Sequence, residues 1–267
     1  MRRIADRKDE FTLFERMLRG AAPNRVLLLE GPSERGKSIL LAELALLAEE
    51  ILGQRCCART DLKGGLALDE LFSGFLADLG PEVFANYTKQ PAPAPLQVNV
   101  EANLSGAEFG DGNKVAVQPI IHTGAPDSAH HRGKAILQDL RTCTKPLVLI
   151  IDTFEAATDE ASRWIVQQLL PSVRHNVRLS IVLGGQRVPD PRDSQLTWGG
   201  FADRRILKLV TSVDDWHEFA CSCHPAFPRQ HIESVLRGLV HRPSIIQEFI
   251  ENIVRQLPPR NAGEALS

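Results

Sequence analysis

The chain has 267 residues, 43% of them hydrophobic, with 31 basic against 33 acidic side chains and a net charge of −2. That length suffices for one large or two small cores, and the near-neutral balance excludes a global basic field of the kind that gathers nucleic acid. No apolar run approaches bilayer length, the start lacks a signal-peptide core, and five scattered cysteines form no disulfide framework, so a cytoplasmic setting without a membrane partner is expected.

An amphipathic helix is expected from Ile4 to Leu18, where Phe11, Leu13, Phe14, Met17 and Leu18 recur among charges. Ala21 to Asn24 breaks it before a first strand, Val26 to Leu29. GxxxxGKS follows as Gly31, Pro32, Ser33, Glu34, Arg35, Gly36, Lys37 and Ser38, and opens a leucine-rich helix from Ile39 to Leu52. Strand, glycine-bounded loop and helix in that order are the context in which a loop cradles a polyphosphate. The helix starts at the loop, so its free N–H groups and positive dipole end face whatever the loop holds. Gly31 and Gly36 let the backbone bend without a Cβ in the way, Lys37 reaches outer phosphates, and the Ser38 hydroxyl takes one Mg²⁺ coordination place.

Arg55 to Thr60 reads as a second strand ending at Asp61, and Leu68 to Leu79 as a helix closed by Gly80-Pro81. Residues 89–134 read as an insertion. It contains a polyproline-type spacer, Gln90 to Pro95, then a two-strand signal with Val98, Val100, Val115 and Val117 about Gly110-Asp111-Gly112-Asn113. An exposed loop from Gly124 to Gly133 closes it, and Ala135 to Arg141 resumes as helix.

Leu147 to Asp152 is the clearest buried strand, an aliphatic run suited to a central parallel position. Asp152 at its carboxyl end is the candidate Mg²⁺ ligand, direct or through water, and Glu155 either polarises a water or simply begins the next helix. A helix from Asp159 to Leu170 places Trp164 in the core. Leu179 to Leu183 is a further strand, followed by Gly184-Gly185-Gln186-Arg187; Arg187 either faces a γ-phosphate or is a solvated loop arginine. A proline- and glycine-rich loop (Pro189 to Phe201) leads to a short strand, Arg205 to Val210. Ser212 with Asp215 caps a helix from Val213 to Cys221, and helices at His231 to Leu239 and Ser244 to Leu257 follow. His217, Cys221, Cys223, His224 and His231 cluster in sequence, but with no CxxC pair they read as small buried thiols rather than a zinc site.

In this order the motifs resemble the STAND class of P-loop NTPases, relatives of AAA+ proteins. Ala5 to Phe11 resembles that family's hhGRExE opening, with Arg7 and Glu10 matching and Asp6 in place of its glycine. Gly31 to Ser38 is its phosphate loop, in which Glu34 and Arg35 replace a Gly-hydrophobic pair. Leu149 to Glu155 is similar to its second nucleotide motif, with Thr153 where many AAA+ ATPases carry Glu; Arg187 falls at its sensor arginine. Gly238 to Ser244 is similar to the lid motif whose proline, here Pro243, packs near the adenine.

The resemblance implies a three-layer α/β P-loop core over residues 1–210, a helical lid over 211–257 and a polar tail over 258–267. It further implies ATP with Mg²⁺ as cofactors, a slowly hydrolysing ATPase acting as a signalling or defence switch, and ATP/ADP-controlled self-assembly or an effector protein as partner. The alternatives are a non-hydrolysing nucleotide-binding scaffold and an AAA+-like ATP-dependent loader on nucleic acid; the near-neutral charge speaks against the loader.

Overall fold

The computed structural model describes residues 5–90, 126–238 and 242–257; of residues 126–129 only the backbone is described. The proposed hairpin around Gly110 to Asn113 and the polar tail lie outside these residues. Five strands form one parallel sheet in the order β2-β3-β4-β1-β5: β1 (Val26–Glu30), β2 (Cys57–Asp61), β3 (Leu147–Asp152), β4 (Leu179–Gly185) and β5 (Ala202–Ile206). Alternate residues of the central strands divide between two cores. Val26, Leu28, Leu149, Ile151, Ile181 and Leu183 pack on one face with α3 (Leu68–Leu79), α4 (Pro126–Thr142), α5 (Asp159–Trp164) and α6 (Leu170–Ser172). Leu27, Leu29, Val148, Ile150 and Val182 pack on the other with α1 (Lys8–Leu18) and α2 (Lys37–Leu52). Such two-sided burial explains why these strands read as continuous aliphatic runs, and it makes the molecule a three-layer α/β fold.

A third cluster, built from Trp216, Phe219, Phe227, Ile232, Ile246 and Ile250, joins α7 (Val213–Cys223), α8 (Arg229–Gly238) and α9 (Pro243–Gln256). Ala5 and Val210 belong to the same cluster, so the start of the chain and the segment after β5 anchor these helices.

Three expectations need correction. The last strand is Ala202–Ile206, not Arg205 to Val210, because its register is set against β1, from Val26↔Ala202 to Glu30↔Ile206, and by an Arg204–Glu30 ion pair of 2.6 Å. Gly184 and Gly185 lie inside β4 rather than after it; a Cβ on Gly184 would come within 2.7 Å of Leu41 Cδ1, so the sheet approaches α2 closely there. The segment read as exposed loop is helical from Pro126 onward. Arg132 is buried and paired with Asp69, and Gly133 lies under the Trp164 indole, contacts invisible to local periodicity.

Trp164 is in the core, 4.9 Å from Phe72 in edge-to-face geometry. Between α5 and α6 the helix carries a π turn, Ile165–Leu169, and the Val166 carbonyl accepts the Trp198 indole N–H at 2.9 Å. That bond, with complete burial of Trp198, pins the long loop before β5.

Candidate functional site

Parallel strands deliver their carboxyl ends to one edge of the sheet, and a crevice forms there where the chain turns to opposite sides. In this molecule Glu30, Asp61, Asp152 and Gly185 end strands on that edge. A cleft of about 430 Å³ opens among them, a volume in the usual range for a small-molecule site. Ser33, Glu34, Gly36, Lys37, Ser38 and Ile39 form one wall, Asp152, Thr153 and Glu155 a second, and Asp61, Lys63, Gln186 and Ser244 complete it.

The glycine-bounded loop is built as its sequence requires. Gly36 caps α2 at φ 79°, ψ 18°, a left-handed conformation that only glycine adopts without strain. A Cβ on Gly31 would press within 3.2 Å of the Leu207 carbonyl. Lys37 is folded back under the loop, its Nζ donating to the carbonyls of Gly31 at 2.6 Å and Pro32 at 2.8 Å. Burial lowers the pKa of this ammonium, while the neighbouring Glu155 and Asp152 carboxylates work against that shift. Glu34 also lies at positive φ, 65°, where a side chain costs about 1–2 kcal/mol. The departure from glycine at this position is therefore carried as strain, and its carboxylate pairs with Arg242 Nε at 2.9 Å across to the start of α9.

Asp152 is 2% exposed; Oδ1 accepts the Thr153 N–H at 2.8 Å, and Oδ2 is buried with no protein partner. A buried carboxylate oxygen with no partner among the described residues suits a cation or a water. Thr153 sits at φ 56°, ψ 44°, an outlier for a β-branched residue, and the turn it makes into Phe154–Ala156 brings Glu155 back toward the cleft. Glu155 Oε2 accepts the Gln186 N–H at 2.8 Å, tying the end of β4 to the turn after β3.

Arg7 is buried and donates to the carbonyls of Lys208 at 2.8 Å and Arg35 at 3.3 Å, clamping the loop to the segment after β5. Burial lowers its pKa, opposed by Glu10 and Asp6. Asp6 stands at φ 45°, a left-handed conformation that glycine adopts without strain. Arg7, Arg35, Gly36 and Pro243 meet Ile39 and Trp216 around a second recess of only about 10 Å³. Arg187 is exposed and lines neither cavity; its neighbour Gln186 is the residue that reaches the cleft. Among the described residues no group of three or more His, Cys, Asp or Glu could by itself hold a metal ion, and Cys221 Sγ rests 3.5 Å from His217 Nε2. Sequence reasoning missed Asp61, Lys63 and Ser244; for Asp61 the signal was its place at a strand's carboxyl end, the same signal that marks Asp152.

No protein-family model matches the chain, and no curated protein matches it. Among solved structures it is similar to a Walker-type ATPase of Pyrococcus abyssi, at 16% identity and TM-score 0.54 over 94% of this chain and 68% of that one. It is also similar to Cdc6p from Pyrobaculum aerophilum, at 10% identity and TM-score 0.52 over 94% and 61% of the two chains. The replication initiator DnaA bound to AMPPCP and single-stranded DNA shares 11% identity at TM-score 0.50 over 93% and 61%. The chain thus spans between three fifths and just over two thirds of the length of these proteins. At such identities the likeness is one of fold, that of the P-loop ATPases.

Proposed function

We propose that the chain is a Mg²⁺-dependent ATP-binding module with slow hydrolysis, a nucleotide switch of the STAND type. The observation that carries this reading is the bare, buried Oδ2 of Asp152 in one cleft with Lys37, Ser38 and the N-terminus of α2. The free N–H groups of that helix end suit a polyphosphate. Ser38 and Asp152 would hold Mg²⁺, which when bound neutralises phosphate charge. Lys37 is the mobile cation: it exchanges two loop carbonyls for phosphate oxygens. Glu155, fixed by the Gln186 N–H, orients a water, and Thr153 in place of a second carboxylate keeps turnover slow.

Residues 211–257 act as the lid on a core of residues 1–210. A recess of about 10 Å³ is no larger than the roughly 10–15 Å³ a single water needs, so a base seated beside Pro243 would have to move α7 and α9 away from Ile39. ATP binding and lid position are therefore linked, and nucleotide-dependent self-assembly or an effector reads the lid. Nucleic acid is the second candidate partner, because one similar structure holds single-stranded DNA.

Asp152→Asn tests the reading, since it preserves shape and removes the charge. ATP binding in EDTA should stay at the wild-type level, while the gain in affinity on adding Mg²⁺ and the release of phosphate should both disappear. A variant with undiminished Mg²⁺ dependence would reduce Asp152 to the end of a core strand.

A further inference from the structure

We infer that Asp61, at the end of β2, is a second carboxylate of the metal–nucleotide site and positions a water of the bound ion beside Asp152. This rests on the nucleotide reading above. Asp61 and Asp152 are register partners in adjacent parallel strands, so their Cα atoms lie about 4.8 Å apart and their side chains leave the same face of the sheet. The backbone continues in step, with the Leu62 N–H donating to the Asp152 carbonyl at 3.1 Å. Two residues earlier on that face, the Arg59 guanidinium donates to the carbonyl of Ser38 at 3.3 Å. This side of β2 therefore looks onto the first turn of α2, where the phosphate and metal ligands stand.

The loop fixes how Asp61 is presented. Oδ1 accepts the Lys63 N–H at 3.0 Å, and Gly65 N–H returns to the Leu62 carbonyl at 3.1 Å, with Gly64 and Gly65 at φ +95° and +74°. One oxygen is thus used by the turn; the other has no partner among the described residues, and Asp61 lines the cleft.

Four carboxylates line that cleft, Glu34, Asp61, Asp152 and Glu155, each with one oxygen engaged. Glu34 pairs with Arg242, Glu155 accepts from Gln186, and Asp152 is the buried group with a bare oxygen. Mg²⁺ bound to phosphates keeps several waters and takes one or two carboxylates. Of the four, Asp61 is the one that stands in register beside Asp152, and its second oxygen is the acceptor placed for one of those waters. Partners that orient a metal's ligands commonly contribute about 10–100-fold in metal affinity.

The test is Mn²⁺ titration of the ATP-loaded protein followed by electron paramagnetic resonance, with wild type, Asp61→Asn and Asp61→Glu compared. Asp61→Asn should weaken Mn²⁺ about 10-fold, at the low end of that range, and leave metal-free ATP affinity unchanged. Asp61→Glu should recover part of the loss. Mn²⁺ affinity of Asp61→Asn within twofold of wild type, in a variant with an unshifted melting midpoint, would overturn the inference alone. A wild type that takes up no Mn²⁺–ATP would overturn the nucleotide reading together with it.

Discussion

Glu34 offers a test of the loop geometry that needs no ligand. It stands at φ 65°, where a residue with a Cβ costs about 1–2 kcal/mol relative to glycine. Glycine in turn forfeits about 0.5–1 kcal/mol of chain entropy on folding. Its one ion pair among the described residues, to Arg242, joins two half-exposed side chains and is worth at most about 1 kcal/mol. Glu34→Ala and Glu34→Gly both lose that pair, so the difference between them isolates the backbone. Glu34→Gly should be the more stable of the two by about 0.5–1 kcal/mol. For a chain of this size each kcal/mol moves the melting midpoint by about 2–4 °C, so the two should melt about 1–4 °C apart. Thermal melts followed by circular dichroism resolve such a gap. An alanine variant as stable as the glycine variant would show that residue 34 is not left-handed, and would remove the explanation given for the loop's unusual sequence.

Three further outcomes follow from the packing around the cleft. Trp216 is buried against the recess beside Pro243, its indole N–H bonded to the Val210 carbonyl at 3.0 Å; its fluorescence, isolated by Trp164→Phe and Trp198→Phe, should change when ATP opens that recess, and an unchanged spectrum at saturation would contradict lid movement. Replacing residues 91–125 with a short Gly/Ser linker should preserve the melting midpoint within a few degrees, whereas a cut extended through Gly133 also removes buried Arg132 and should lower it clearly; equal midpoints would mean that Arg132 and Gly133 are not part of the core. Phosphate release by the isolated chain should run at roughly 10⁻³ to 10⁻¹ per second, and Glu155→Gln should lower it at least tenfold without weakening ATP; several turnovers per second would show a complete catalytic set.

What was legible in the sequence was local. The loop from Gly31 to Ser38 and the run from Leu147 to Asp152 each state their conformation within a few residues, through glycine spacing and unbroken aliphatic burial. β5 was misplaced because Ala202 to Ile206 carries no apolar run; its position comes from pairing with β1 and from the Arg204–Glu30 contact. The first turns of α4 read as loop because its polar residues face partners distant in sequence, Asp69 for Arg132 and Trp164 for Gly133. Asp61 went unremarked for the same reason: only the register of β2 on β3 sets it beside Asp152. The left-handed backbone at Asp6, Glu34 and Thr153 was likewise invisible, since none of these residues announces a positive φ.

Calorimetric titration of ATP with Mg²⁺ into wild type and Lys37→Ala tests the central claim most directly. Lys37 is the one ammonium held inside the loop, and hydrogen bonds to charged groups are worth about 1.5–3 kcal/mol, or about 10–150-fold in affinity. One site per wild-type chain is predicted, with affinity at least 10-fold weaker in the folded Lys37→Ala variant. Equal affinity in the two proteins, or no binding by the wild type, would contradict the assignment of this cleft to a nucleotide.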